Sequence, residues 1–318
     1  MTAYRGRLAP SPTGYLHLGH ARTFWVAYQR ARASAGTLIF RNEDLDQQRS
    51  RPDFVTAMFE DLRWLGLDWE EGPDLPRDTR ETSRGEYGPY IQSLRRSFYL
   101  EAWRKLRDGG FIYPCTCSRR DLERALSAPH ESLPPAVLHP GEQNLAPDDE
   151  LPYPGSCRNK IISTRDYSSP AGVSWRFRVP DNESVSFHDN YFGPQLFVAG
   201  QDFSDFLIWR RDDIPAYQLA VVVDDEAMRI TEVVRGADLL RSTARQLLLI
   251  SALRYRTPHY FHCPLLRDEN NLRLAKRHDS LSLRRLRESG VDPANLRRRF
   301  AQQIEWDRNL LRKNPGRD

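Results

Sequence analysis

The sequence predicts an α/β fold: an open, mostly parallel sheet with helices on its faces, interrupted by an inserted module and followed by helices. Three observations predict it. Near the start, short apolar runs that read as strands alternate with stretches whose apolar residues recur at helical spacing. From Phe111 that alternation gives way to proline-punctuated chain and then to period-two patterning. From Ile214 the β-α alternation returns. The 318 residues suffice for about two domains with a large core. A hydrophobic share of 39% and a charged share of 28% fit a globular chain. No run of 18 apolar residues exists, which excludes a helical membrane span. The first eight residues lack the apolar core of a signal peptide, so a cytoplasmic location is expected.

In chain order, a short apolar run ends at Leu8 and leads through Pro10, Pro12 and Gly14 to His17-Leu-Gly-His20 and a helically spaced stretch over 21–28. This reads as strand, tight turn and helix start. Thr37–Phe40 reads as a second strand, running into Arg41-Asn-Glu-Asp-Leu-Asp46. Residues 51–65 place Phe54, Met58, Leu62 and Leu65 on one helical face, with Pro52 in the first turn, where a missing N–H is harmless. Residues 94–106 repeat the pattern through Phe98, Trp103 and Leu106 and close at Gly109-Gly110. Residues 118–152 are broken by prolines and read as loop-rich. Residues 172–179, 184–188 and 195–199 read as antiparallel strands. Residues 217–223 form a buried helix or strand leading to Asp224-Asp225. A strand is expected over 230–234, a turn at Gly236, a helix over 243–253 and helices in the last 50 residues. The expected divisions are 1–110 and 213–262 for the halves of the sheet domain, 111–212 for the insertion and 263–318 for a helical C-terminal segment.

The opening stretch carries the sharpest chemistry. A helix N-terminus offers unpaired N–H groups and the positive end of a dipole, so it suits phosphate. His17 and His20, three residues apart at such a start, can both donate to one phosphate, and Gly19 lets a nucleotide pass close to the backbone. Taken alone, two histidines beside a glycine serve as readily as helix caps. A second stretch, 271–278, reads Asn-Leu-Arg-Leu-Ala-Lys-Arg-His and follows a strand end expected at 264–267. Only four of the 47 basic residues are lysines, so Lys276 in this loop stands out as a cation for a leaving pyrophosphate. A third stretch, 214–225, is followed by Val-Arg-Gly-Ala-Asp at 234–238.

Together these strings resemble the class I aminoacyl-tRNA synthetases. Ala9-Pro-Ser-Pro-Thr-Gly14 and Gly19-His-Ala-Arg22 resemble the glutamyl branch, and the resemblance runs from Tyr4 to His278. It implies a Rossmann-like class I synthetase catalytic domain with an inserted zinc-containing α+β module and a helical C-terminal segment. It implies ATP binding by His17, Gly19, His20 and Lys276, with His17, His20 and Lys276 catalytic and Mg²⁺ arriving with ATP. It further implies a glutamate site lined by Arg7, Ser11, Glu43, Tyr217 and Arg235. The chemistry of glutamate agrees: two arginines can clamp its carboxylates and one carboxylate can hold its ammonium. The family's lysine loop usually reads Lys-Leu-Ser-Lys-Arg. Here Arg273 and Ala275 depart from it, and the lost hydroxyl is expected to weaken one phosphate contact.

Three of the four cysteines, Cys115, Cys117 and Cys157, fall in the insertion, and a Cys-x-Cys pair with a later Cys suits tetrahedral Zn²⁺. A fourth ligand is needed. Histidine chemistry favours His130 or His139, whereas the resemblance implies Tyr153. Three reduced cysteines without metal are the plain alternative.

Charge is uneven: residues 254–318 hold 16 Arg and Lys against 8 Asp and Glu, while the whole chain is only +4. A basic segment suits a polyanion, although such runs also form solvated helix faces. The family's full synthetases carry a further anticodon-binding region. This chain ends soon after Lys276, so no anticodon-binding domain is expected. That resembles the short paralogues of the branch, which act on queuosine in tRNA(Asp). The implied partners are L-glutamate, ATP and the queuosine-bearing anticodon arm of tRNA(Asp), with no membrane and a monomeric state. The implied reaction is glutamate activation without tRNA, then transfer to the queuosine base at the wobble position. Two alternatives are a truncated discriminating glutamyl-tRNA synthetase and a catalytically silent tRNA-binding paralogue.

Overall fold

A computed structural model describes residues 3–74, 83–118, 120–122, 153–160, 164, 167–266 and 282–313, with side chains as far as residue 303. It divides into two compact units. Unit one comprises residues 1–91, 234–236 and 263–318; unit two comprises 92–233 and 237–262.

In unit one, β1 (Arg5–Leu8) and β2 (Thr37–Phe40) pair in parallel, Arg5 beside Thr37 through Leu8 beside Phe40. Parallel neighbours need a crossover, and α1 (Leu18–Ala33) supplies it. Parallel bridges add Glu71 beside Ile39 and Ile91 beside Asn42. The helix expected over 51–65 is α2 (Pro52–Trp64), with proline in its first turn and Ala57, Met58, Phe59 and Leu62 buried. The core forms where Phe40 stacks on Trp69 at 4.6 Å and meets Phe59 at 4.7 Å. The expected C-terminal helices are α6 (Leu283–Glu288) and α7 (Pro293–Lys313). Ser282 caps α6 by accepting from the Arg285 N–H.

Unit two carries α3 (Arg96–Asp108), which extends two residues beyond the expected end. The strands β3 (Ile112–Cys115), β4 (Ser174–Phe177) and β7 (Phe206–Trp209) form an antiparallel sheet. A second sheet contains the expected hairpin, β5 (Ser184–Asp189) and β6 (Gly193–Val198), with β8 (Glu232–Gly236) and β9 (His259–Cys263), in the order β6-β5-β9-β8. The stretch over 217–223 resolves as a helix, α4 (Tyr217–Ala227), and α5 (Leu240–Leu253) follows β8. Gln218 through Asp225 are all buried in α4, which is why no apolar periodicity marked it as a helix.

Two expectations need adjusting. The strand expected to end at 264–267 is β9, which closes earlier, at Cys263. Among the described residues the strands form three sheets, and β8, expected with the parallel strands, lies in the sheet that holds the β5–β6 hairpin. Asp189 explains the join. Its buried carboxylate accepts from the backbone N–H of His262 at 3.0 Å and from its ring Nδ1 at 2.7 Å, tying the end of β5 to β9. Burial pushes the Asp189 carboxyl up, but His262 and the N–H groups of Tyr191 and Phe192 outweigh it and hold the group below its ordinary range. Among the described residues no helix is long and apolar enough to cross a membrane.

Candidate active site

The first histidine of the opening motif is the cap of α1. The Nδ1 of His17 accepts from the Gly19 N–H at 3.1 Å, and the Nδ1 of His20 accepts from the His17 N–H at 3.5 Å, closing a reciprocal capping box. The two rings stack, with centroids 3.8 Å apart and planes 25° from parallel. Capping and phosphate binding are therefore compatible here. A neutral imidazole that accepts at Nδ1 carries its proton on Nε2, so both rings are set as Nε2–H donors. Gly19 is required by space: a Cβ there would lie 2.9 Å from the His17 Cε1. The same stretch is held from behind, because the Leu283 N–H donates to the Leu16 carbonyl at 2.7 Å and Arg284 donates to the Tyr15 hydroxyl at 2.7 Å.

Of the five expected glutamate residues, Arg7, Ser11, Glu43 and Arg235 belong to unit one and Tyr217 to unit two. Arg7 at the end of β1 is buried and donates through Nη1 to the Val234 carbonyl at 3.0 Å, which sets it beside the strand position of Arg235, also buried. The segment after β2 runs alongside: the Arg41 N–H reaches the Leu8 carbonyl at 2.8 Å and the Glu43 N–H the Pro10 carbonyl at 3.1 Å. Arg7 and Glu43 thus stand at the carboxyl ends of adjacent parallel strands, where open α/β sheets bind ligands. Ser11 is exposed in the loop beyond β1, and Tyr217 is half-buried as the first residue of α4. Asp224, two turns further along α4, is structural: it accepts from Gln92 at 2.7 Å, Arg95 at 2.6 Å and Tyr99 at 3.0 Å.

Sequence reasoning passed over Arg41. It is fully buried and donates through Nε and Nη2 to the same Glu43 oxygen, at 3.2 and 2.9 Å. The signal was present, since residues two apart on extended chain share a face. Lys276, Arg273 and Ala275 lie outside the described residues, as do His130 and His139. In the basic segment, Arg287 pairs with Glu60 at 2.7 Å and Asp61 at 3.2 Å, and Arg297 donates to the Leu65 carbonyl at 2.9 Å. Among the arginines of α6 and α7 with described side chains, Arg285, Arg298 and Arg299 are exposed.

In unit two, Cys115, Cys117 and Cys157 place their sulfurs within 4.8 Å of one another, the one such cluster among the described residues. The Sγ atoms of Cys117 and Cys157 are 3.6 Å apart, and the Tyr153 hydroxyl lies 3.6 Å from the Cys115 Sγ. A tetrahedral zinc with bonds of about 2.3 Å to sulfur separates its sulfurs by about 3.8 Å, so the donor set fits that ion. The Cys157 N–H also points at the Tyr153 oxygen, at 2.7 Å. Burial pushes the Cys157 thiol up, but hydrogen bonds involving Thr116, Tyr153 and Cys117 outweigh it and bring the thiol down to about 6. Cys117 goes the other way, to about 11, through burial and its neighbouring thiols.

Residues 3–314 match the family described as tRNA synthetases class I (E and Q), catalytic domain. The chain is 45% identical over 294 residues to the Glutamyl-Q tRNA(Asp) synthetase of Nitratidesulfovibrio vulgaris, spanning 92% of this chain and 83% of that one. It is 44% identical over 290 residues to the Glutamyl-Q tRNA(Asp) synthetase of Symbiobacterium thermophilum, spanning 91% and 82%. Its fold resembles the crystal structure of a glutamate tRNA ligase from Elizabethkingia meningosepticum in complex with its amino acid. The TM-score is 0.67 at 28% identity, covering 87% of this chain and 52% of that one. The stacked histidine cap, the buried arginines at the strand ends and the match over residues 3–314 lead to one conclusion: the chain belongs to the class I tRNA synthetases for glutamate and glutamine, in their catalytic-domain family.

Proposed function

We propose that this protein activates L-glutamate with ATP, without tRNA, and transfers the glutamate to the queuosine base at the wobble position of tRNA(Asp). The observation that carries the reading is the identity of 45% to a Glutamyl-Q tRNA(Asp) synthetase over most of both chains. The α-carboxylate of glutamate attacks the α-phosphorus of ATP and pyrophosphate leaves. The Nε2–H groups of His17 and His20 meet the charge that builds on the phosphate, in the position where fixed donors are most effective. Lys276 meets the charge on the departing pyrophosphate, with Mg²⁺ arriving as part of the ATP substrate. Arg7 and Arg235 take the two carboxylates, Glu43 takes the ammonium, and Ser11 and Tyr217 are the further glutamate-binding residues of this reading. A hydroxyl on the cyclopentene ring of queuosine then attacks the glutamyl carbonyl of the adenylate, forming the ester as the anhydride bond breaks and AMP leaves.

In the insertion, Cys115, Cys117, Tyr153 and Cys157 hold Zn²⁺ as a structural staple, which supplies cross-linking of the module and no chemistry to the reaction. Arg285, Arg298 and Arg299 contact phosphates of the anticodon arm, which orient without reading sequence. The reading includes a monomer in the cytoplasm, where tRNA and ATP are present. On this reading residues 1–110 and 213–262 form the sheet domain, 111–212 the insertion and 263–318 the basic C-terminal segment.

Glutamate-dependent exchange of pyrophosphate into ATP tests the first step. It should proceed without tRNA. Lys276→Ala should slow it by about 10²–10³-fold, as for loss of one preorganised oxyanion donor, with little change in the KM for glutamate. Exchange at the wild-type rate would remove Lys276 from the mechanism. A second reading, charging of a tRNA 3′ end, is favoured by the likeness to a glutamate tRNA ligase. The position of the transferred label separates the two.

A further inference from the structure

Glu43 is an ionisable carboxylate in a buried place, and a lone buried carboxylate tends to take up a proton rather than stay charged. A neutral Glu43 would be a poor ligand for an ammonium group. Arg41 removes that difficulty. Its side chain is completely buried, that of Glu43 is 6% exposed, and their charged atoms are 2.9 Å apart. Arg41 donates to Oε1 through both Nε and Nη2, which ties the orientation of the Glu43 carboxylate to the guanidinium plane. The backbone holds the pair in place from both sides. Arg41 and Glu43 donate their N–H groups to Leu8 and Pro10, and Asn42 between them donates to Tyr90 at 2.9 Å in the other direction. This is the alternation of an extended segment, and it puts both side chains on the same face.

We propose that Arg41 is a positioning residue for amino-acid recognition: it keeps Glu43 ionised and turned so that its carboxylate receives the ammonium of the bound glutamate. Arg41 touches no substrate atom and acts through Glu43. The planar guanidinium fork sets an orientation that a single ammonium point charge cannot, so lysine is an incomplete substitute. The inference rests on the reading of Glu43 as the ammonium ligand given above.

The test measures tRNA-independent ATP–pyrophosphate exchange with the full chain, as KM for glutamate, KM for ATP and kcat. The variants are Arg41→Gln, Arg41→Lys, Glu43→Gln and the double variant Arg41→Gln/Glu43→Gln, with folding followed by circular dichroism. Arg41→Gln should raise the KM for glutamate at least about tenfold while the KM for ATP stays within about twofold, and Arg41→Lys should recover part of the loss. The double variant should be no worse than Glu43→Gln alone, because residues acting in one chain of contacts are not additive. The double variant also removes both buried charges together, so it remains a folded test if Arg41→Gln does not fold. If Glu43→Gln leaves the KM for glutamate unchanged, the reading of Glu43 itself fails and the proposal falls with it. If Glu43→Gln raises that KM but Arg41→Gln does not, or if the two effects multiply in the double variant, Arg41 is structural only and the proposal alone is overturned.

Discussion

Gly19 shows how one residue couples the helix cap to the chemistry. Alanine favours a helix over glycine by about 1 kcal/mol, and nothing in the backbone of α1 forbids it. Its Cβ, however, would sit 2.9 Å from the His17 ring and push the imidazole off its cap. Gly19→Ala should therefore leave the melting temperature little changed, the helix propensity gained offsetting the cap lost, while lowering the exchange rate by up to about a hundredfold for an ångström-scale displacement. Thermal denaturation beside the exchange assay checks the split; full activity in the variant would contradict the fit of the histidine pair.

A second residue gives a pH dependence. Asp61 lies buried on the inner face of α2, and its Oδ2 has no hydrogen-bond partner. Burial dominates and pushes its carboxyl up to about 6, with Arg287 only partly opposing. The folded protein thus holds this proton more tightly than the unfolded chain does. The resulting stabilisation is complete below about pH 3.8 and is lost as pH rises through about 6. It amounts to at most about 3 kcal/mol for some two pKa units. Asp61→Asn should flatten the fall in melting temperature across that window, measured by thermal denaturation at a series of pH values; an unchanged slope would contradict it. This site was not legible in the sequence, since Asp61 meets Arg287 from 226 positions away. The Arg41–Glu43 pair, two positions apart, was.

At the scale of elements, the cysteine cluster joins a legible motif to a less legible fourth ligand. The Cys-x-Cys and the later cysteine were plain in the sequence, and the fold gathers their sulfurs. Spacing could not choose between Tyr153 and a histidine. The phenol oxygen of Tyr153 beside Cys115 favours the tyrosine. Protein purified without chelator should contain one zinc per chain, and Tyr153→Phe should keep three sulfur ligands but release the metal to a chelator faster. Elemental analysis showing no zinc, or release at an unchanged rate, would count against this donor set. Helices α2 and α3 were legible because each has one apolar face. Helix α4 was ambiguous because it is buried almost all round, and burial on every side erases periodicity.

For the whole molecule, the α/β character was legible from alternating patterns. The partition of strands into three sheets was not. It depends on pairings such as Asp189 with Tyr260, set by a buried carboxylate rather than by any local preference. The central claim is that glutamate goes to a base of the anticodon loop, and one measurement addresses it directly. Radiolabelled glutamate and ATP are supplied with tRNA(Asp) that carries or lacks queuosine, and the tRNA is cut by nuclease before the label is located. The account predicts label on the anticodon fragment, only when queuosine is present, and on an isolated anticodon stem-loop bearing queuosine. Label at the 3′-terminal adenosine, or equal labelling of tRNA lacking queuosine, would contradict it.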